Sequence, residues 1–175
     1  MSADESRVLY VARPAPWVRA VTLGVGVLVV LILGATSLAV LGSDPGSPLA
    51  RAAALLLVLP SALAVAVLIG LGQRMRFTVT TAGVVIRTMF RTRRIPWEQI
   101  ARIEVDTGWV HQGQTVAVLH DGRRIGAPIT EARSAMRRGE STWDHGPDLT
   151  APARPTRAAI DAHRRWLRGE FAGSR

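Results

Sequence analysis

Residues 76–106 read RFTVTTAGVVIRTMFRTRRIPWEQIARIEVD, and in this stretch apolar residues alternate with polar ones. Phe77 and Val79 alternate with Arg and Thr near its start, and Ile103 and Val105 alternate with charged residues near its end. A period of two is typical of strands that bury one face. The stretch therefore predicts short antiparallel strands joined by tight turns.

The alternation continues on both sides of this stretch, and it predicts a run of short strands over residues 73–128. They are expected at 74–80, 84–88, 93–97, 101–106, 115–119 and 123–127. Thr81-Ala82-Gly83 reads as a turn, and Asp121-Gly122 is a strong signal for a two-residue hairpin. Many short strands with short connections indicate a small barrel or sandwich.

Residues 129–175 are expected to complete this domain with a short helix, a loop and a C-terminal helix. Thr130 is expected to cap the short helix over 131–138, which ends at Gly139, and Thr156 is expected to cap the C-terminal one. About 100 residues suffice for one domain. We therefore expect residues 73–175 to fold by themselves.

The C-terminal helix is amphipathic. At about 100° per residue, its apolar face collects Ile160, His163, Trp166, Leu167 and Phe171. We expect this face to pack on the strands, which would bury Leu167 and make His163 a hydrogen-bonded core histidine. In the preceding loop, Trp143 is a candidate anchor and Asp144-His145 reads as a solvated turn.

Two long runs without a charged residue precede the strands, at residues 20–42 and 52–72. A hydrocarbon core of about 30 Å needs about 20 apolar residues in a helix. Neither run has the polar stripe of a soluble core helix, and both are longer than the apolar region of a signal peptide. They predict a transmembrane hairpin over residues 20–72, preceded by an N-terminal segment, residues 1–19.

The distribution of arginine predicts the orientation of this hairpin. The flanks hold Arg7, Arg13 and Arg19 on one side and Arg74, Arg76 and Arg87 on the other. The connecting turn has only Arg51, offset by Asp44. Since positively charged flanks stay in the cytoplasm, we expect a multi-pass plasma-membrane protein with both termini cytoplasmic.

Inside the second run, Ala62, Ala66 and Gly70 recur every fourth residue. Small residues at this spacing let helices approach closely, so these three are the candidate helix-packing residues. The hairpin could pack in this way against a partner protein or a second copy of the chain. Pro60 is expected to kink this helix.

Residues 74–102 are strongly basic, with seven arginines and one acid, Glu98. A solvated strand face, a nucleic-acid footprint and a headgroup contact would all produce this composition. Because the segment begins directly after the hairpin, anionic lipid headgroups are the favoured partner, and no nucleic acid is expected. The candidate headgroup-facing residues are Arg74, Arg76, Arg87, Arg91, Arg93 and Arg94.

The sequence offers no catalytic constellation. There are no cysteines, and the four histidines, at 111, 120, 145 and 163, do not have metal-ligand spacing. No nucleophile motif or phosphate-binding glycine loop occurs. We therefore expect no enzyme activity, no metal and no cofactor.

The motif IPWEQI (95–100), followed by an alternating strand and by HDGRRIGAP (120–128), carries a family resemblance. With two membrane helices ahead of it, the chain resembles bacterial pleckstrin-homology (PH)-like proteins, of the actinobacterial type similar to the PH domain of low-molecular-weight protein antigen. The resemblance implies a PH-like barrel over 73–128 whose open end is closed by the C-terminal helix. It also implies binding or scaffolding without catalysis.

Eukaryotic lipid-binding PH domains carry basic residues in the loop between their first two strands. That loop is expected here at Thr81-Ala82-Gly83, without a basic residue, so phosphoinositide recognition does not carry over. The favoured function is a membrane-anchored adaptor that presents a headgroup- or protein-binding surface at the inner leaflet. The alternative is a regulatory subunit whose hairpin docks on a transporter or envelope enzyme.

Overall fold

The computed structural model describes residues 6–42 and 48–171. These residues form two compact units. One unit is helical and covers residues 16–73, and the other combines residues 6–15 with residues 74–171. The second unit, which we call the β unit, is therefore discontinuous in sequence.

The helical unit is a pair of long helices, α1 (Pro16–Gly42) and α2 (Pro48–Gly72). They contact each other at Gly26, where an added Cβ would overlap the side chain of Ile69. In α1, Pro16–Ala39 is long and apolar enough to cross a membrane, and 6% of this window is buried. A helix so exposed does not form the core of a soluble domain. In the described part of α2, the apolar stretch Pro60–Gly72 is shorter.

The first sheet of the β unit contains the strands β1 (Val8–Ala12), β2 (Arg76–Thr80), β3 (Gly83–Arg87) and β4 (Thr92–Pro96). They are antiparallel and lie in the order β1-β2-β3-β4. The alternating sequence places β2, β3 and β4 where they are predicted. No strand is predicted before the helices, however, and β1 corrects the description of residues 1–19 as a separate segment.

The presence of β1 changes how the connections are counted. Thr81 and Ala82 lie between β2 and β3, whereas the connection between β1 and β2 is residues 13–75, which holds both long helices. The turn at Thr81 and Ala82 therefore joins the second and third strands, and it is not the equivalent of the loop between the first two strands of eukaryotic PH domains. The strand also joins the body of the domain, because Ala12 is buried in the core and Leu9 packs against it.

The second sheet contains β5 (Ile100–Val105), β6 (Thr115–Leu119) and β7 (Arg124–Ala127), all antiparallel and in this order. Its strands match the predicted positions. A one-turn 3-10 helix, Trp97–Gln99, links the two sheets. Trp97 is fully buried, and its indole Nε1 donates to the carbonyl of Thr80 at 3.2 Å. The predicted barrel thus consists of two antiparallel sheets around one core.

Two short 3-10 helices, Pro128–Thr130 and Ala132–Ser134, lead to α3 (Ala135–Arg138), which ends at Gly139 with a positive φ of 75° as predicted. The predicted cap is wrong, because Thr130 is buried and its hydroxyl accepts from the amide of Thr115 at 2.8 Å. Another 3-10 helix, Thr142–His145, follows. Its Trp143 is 87% exposed and anchors nothing, and His145 is buried, which corrects the predicted solvated turn.

The C-terminal helix α4 (Arg154–Leu167) packs on the first two strands and on β5. Ala153 occupies its N-cap, while Thr156 is buried inside the first turn and bonds the Thr115 hydroxyl at 2.8 Å, so Thr156 is not the cap. His163 is buried as predicted, between Trp97 and Trp166 at ring-centroid distances of 5.5 and 6.0 Å. Leu167 is 65% exposed, contrary to expectation.

Candidate functional site

The outer face of the first sheet is basic because of strand alternation. Phe77, Val84 and Ile95 point into the core, so their neighbours in sequence point away from it. The register places Arg76 opposite Arg87 and, on the other side of β3, Arg87 opposite Thr92 and Val85 opposite Arg94. Three of the six candidate arginines, Arg76, Arg87 and Arg94, therefore share one outer face.

A depression of about 570 Å³ lies on this face. Its lining combines Arg76, Arg87 and Arg94 with the hydroxyl-bearing residues Ser6, Thr78, Thr80 and Thr92. Guanidinium groups form bidentate hydrogen bonds with phosphate and carboxylate, and hydroxyls add further donors. Because Arg76 and Arg87 are direct cross-strand neighbours of like charge, an anion between them would relieve an unfavourable pair.

The turn between β3 and β4 carries the next arginines. Thr88 holds the turn: its amide donates to the Arg91 carbonyl at 2.8 Å, and its hydroxyl accepts from the Arg91 amide at 3.2 Å. Arg91 and Arg93 line a second depression of about 250 Å³ together with Arg124 of the second sheet. The sixth candidate, Arg74, is exposed and precedes β2.

All six candidate arginines are exposed. Within the described residues, none of the six has a carboxylate within ion-pair distance. The acid of this segment, Glu98, lies in the 3-10 helix at the other end of β4. The surface around β2, β3 and β4 thus presents positive charge that the described part of the chain does not neutralise.

A buried polar cluster escaped the sequence analysis. Its centre is Arg138, whose side chain is 1% exposed and whose Nε donates to Glu140 at 2.8 Å. Further Arg138 nitrogens donate to the Ile129 carbonyl at 2.5 Å and contact His145 Nε2 at 3.3 Å. Tyr10 of β1 donates to the other Glu140 oxygen at 3.1 Å. The cluster therefore ties β1 to the segment that follows the second sheet.

This cluster shifts the pKa values of two of its side chains, Tyr10 and His145. Burial, followed by the nearby Glu140 carboxylate, raises the pKa of Tyr10 to about 12. Burial and the adjacent Arg138 guanidinium lower the pKa of His145. Both groups are therefore neutral in the folded protein near pH 7, which is consistent with a structural role for the cluster.

The three candidate packing residues of α2 do not face α1 as a group. Ala66 and Gly70 are exposed, Ala62 is half-buried, and an added Cβ at Gly70 would meet no atom within 4 Å. The contact with α1 is made by Ile69 instead. A packing role for the three residues would thus require a helix from outside the described residues.

Metal coordination finds no support in the part of the chain that the structure describes, where no group of three His, Asp or Glu side chains could hold an ion.

In comparisons with known proteins, a family model described as a bacterial PH domain matches residues 74–166. No curated protein and no solved structure matches the chain.

Proposed function

The chain belongs to the bacterial PH domain family, and from this premise we propose that it is a membrane-anchored binding module whose first sheet binds anionic phospholipid headgroups at the inner leaflet. Family membership indicates a binding module. The choice of ligand rests on the arginines of one sheet that have no carboxylate partner among the residues the structure describes. Phosphate-bearing lipids supply the anion that this surface lacks.

The expected strength of this contact is moderate. A basic residue near an anionic membrane surface contributes about 1 kcal/mol. If Arg76, Arg87 and Arg94 all engage headgroups, the contact is worth about 3 kcal/mol. That is enough to orient a domain that is already anchored, and it should fade at high salt because charges are then screened within a few ångströms.

Membrane anchoring by a two-span hairpin is supported by the discontinuity of the β unit. β1 precedes α1 and pairs with β2, which follows α2. Two paired strands lie on one side of a membrane, so any crossing between them must be matched by a return. Cleavage of α1 as a signal sequence would also remove β1 from the sheet. The arginine-rich flanks then favour the cytoplasmic side for both termini.

The test uses the β unit in soluble form, with residues 16–73 replaced by a short Gly-Ser loop that joins β1 to β2. Sedimentation with liposomes is compared for Arg76→Gln/Arg87→Gln/Arg94→Gln and for the matched triple Arg102→Gln/Arg123→Gln/Arg124→Gln. The matched triple removes equal charge from arginines that have carboxylate partners.

The parent domain should bind vesicles that contain phosphatidylglycerol and ignore pure phosphatidylcholine. The first triple should weaken this binding by about 100-fold at low salt, which corresponds to about 3 kcal/mol. The matched triple should weaken it far less. Equal losses for both triples, or equal binding to neutral vesicles, would contradict a headgroup site on the first sheet.

A second function, regulation of a transporter or envelope enzyme through the hairpin, is favoured by the exposure of Ala66 and Gly70 on α2. A partner helix could approach closely there. Replacing both residues by Leu should then abolish co-purification of a crosslinked partner from membranes without altering liposome binding. Crosslinking only to a second copy of the chain would indicate a homo-oligomer instead.

A further inference from the structure

The turn at residues 88–91 lies at the end of the first sheet where the chain leaves for the helical pair. Arg76 begins β2 and pairs with Arg87, which ends β3, so the turn after Arg87 is beside the start of β2. β1 ends at this same end of the sheet, because Ala12 pairs with Phe77 near the start of β2. The turn therefore shares this end with both links to the long helices.

These links are short, since they comprise residues 13–15 and residues 73–75. A three-residue segment spans at most about 10 Å when fully extended. If α1 and α2 cross the bilayer, the end of the sheet that holds the turn must remain near the lipid surface. The opposite end, with the turn at Thr81 and Ala82, is a strand length farther along the sheet.

Phe90 is the apolar feature of this turn, and 76% of it is exposed. The hydrogen bonds between Thr88 and Arg91 already fix the backbone around it, so little conformational freedom is lost on binding. Arg87, Arg91 and Arg93 flank it, without carboxylate partners in the described part of the chain. An apolar tip surrounded by cations is suited to a surface that is apolar inside and anionic outside.

Two other aromatic residues of the β unit are exposed, and their surroundings differ from those of Phe90. Trp109 has the guanidinium of Arg133 over its ring at 5.7 Å. Trp143 lies in a segment with the exposed Asp144 and Asp148, whose negative charges an anionic membrane would repel. Among the exposed aromatic side chains described in the β unit, Phe90 is thus the one that lies near the links to the long helices and is surrounded by arginines.

We propose that Phe90 inserts into the acyl boundary of the anionic inner leaflet while Arg87, Arg91 and Arg93 contact the surrounding phosphates. The inference rests on the proposed headgroup binding and adds a depth and an orientation to it. Insertion at one end of the sheet fixes the tilt of the β unit. Headgroup attraction alone would leave that tilt loosely defined.

The test uses the full chain in lipid nanodiscs. Since the protein has no cysteine, Phe90→Cys provides a single site for the environment-sensitive dye NBD. The matched control is Gln99→Cys, which is exposed in the 3-10 helix that follows β4 at the opposite end of the same sheet. Met89→Cys, in the same turn as Phe90, is the second variant in case the first perturbs folding.

In nanodiscs with phosphatidylglycerol, NBD at position 90 should show blue-shifted emission and be quenched by lipids with a doxyl group on the acyl chain. NBD at position 99 should remain solvent-like. Solvent-like emission at both 90 and 89 would overturn insertion. The liposome test of the Arg76, Arg87 and Arg94 triple then decides separately whether headgroup binding also fails. Equal insertion into neutral nanodiscs would support the apolar contact and contradict the need for anionic lipid.

Discussion

The two sheets of the β unit display the same exposed residue, arginine, in opposite electrostatic settings. On the second sheet, Arg102 and Arg124 both contact Glu104, and Arg124 does so at 3.5 Å. On the first sheet, Arg76 of β2 is paired with Arg87 of the adjacent strand β3, and neither has a carboxylate partner among the described residues. The difference lies in the placement of the acids, and it shows that a count of arginines does not by itself define a binding surface.

The sheets also differ in how the chain builds them. The second sheet is formed by one continuous stretch, residues 100–127, whereas the first needs β1 from before the helices. Long-range pairing of this kind depends on contacts that only the folded unit supplies. For β1 these are the burial of Ala12 and the bond between Tyr10 and Glu140.

Loss of β1 should have the largest effect. A fragment that begins at residue 74 should be less stable than the loop-joined domain by about 5 kcal/mol or more, because Leu9, Tyr10 and Ala12 no longer cover the core. Urea unfolding followed by circular dichroism measures the difference. Equal stability of the two proteins would mean that the first sheet is complete without β1, as the sequence alone suggested.

Breaking the buried arginine cluster should come next. Arg138→Met removes the ion-pair partner of Glu140 and the donor to the Ile129 carbonyl in a buried site, at an expected cost of about 3–5 kcal/mol. The control is Arg137→Met, because the Arg137 side chain is exposed and should contribute within about 0.5 kcal/mol. If both variants unfold at the same urea concentration, the cluster contributes no stability.

The titration of Tyr10 reports whether β1 is seated on the domain. The chain has one tyrosine, so tyrosinate absorbance has a single source. Its midpoint should be at about 12 in the folded protein and near 10 in urea. Because the unfolded chain loses this proton first, stability should fall as pH rises from about 10 to about 12. A folded-state midpoint near 10 would place Tyr10 away from Glu140, and Glu140→Gln should move the midpoint in that direction.

The strands after residue 74 were predictable because each buries one face, and alternation records this directly in the sequence. β1 reads VLYVA, apolar throughout, and its partner lies beyond two long helices, so no local pattern could identify it. Thr130 and Thr156 stand at positions that suit helix caps in the sequence, but their hydroxyls bond Thr115 of β6 instead. Leu167 is predicted to be buried but is exposed, because α4 buries Thr156, Ala159, Ala162 and His163, and a helical angle alone does not identify which side of the helix is covered.

The candidate site was predictable to a similar extent. The arginine-rich composition identified the six residues, and alternation could have separated Arg76, Arg87 and Arg94 from the others. The sequence could not show that Arg124 of β7 reaches Glu104 of β5, or that the described residues place no carboxylate beside the arginines of the first sheet. The contact between Arg124 and Glu104 joins side chains from different strands, whereas Arg102 and Glu104 lie two residues apart on β5, a pairing that alternation already indicates.

The smallest expected effect is a difference in the free energy of unfolding between arginine substitutions on the two sheets. Arg102→Gln removes an exposed ion pair with Glu104 and should lower the free energy of unfolding by up to about 1 kcal/mol. Arg87→Gln removes a like-charge neighbour of Arg76 and should leave stability unchanged or raise it by a few tenths of a kcal/mol. A clear loss of stability for Arg87→Gln would reveal a partner for this arginine and weaken the contrast between the sheets.

In the proposed topology, a membrane hairpin interrupts the β unit between β1 and β2 and holds that unit at the inner leaflet. Labelling of single cysteines in intact bacterial cells with a membrane-impermeant maleimide tests it most directly, because the chain has no cysteine of its own. The sites are Gly42→Cys, at the end of α1, and Gln99→Cys, exposed in the β unit. We expect that position 42 is labelled and that position 99 is protected until the cells are permeabilised. Labelling of position 99 in intact cells, or protection of both positions, would contradict it.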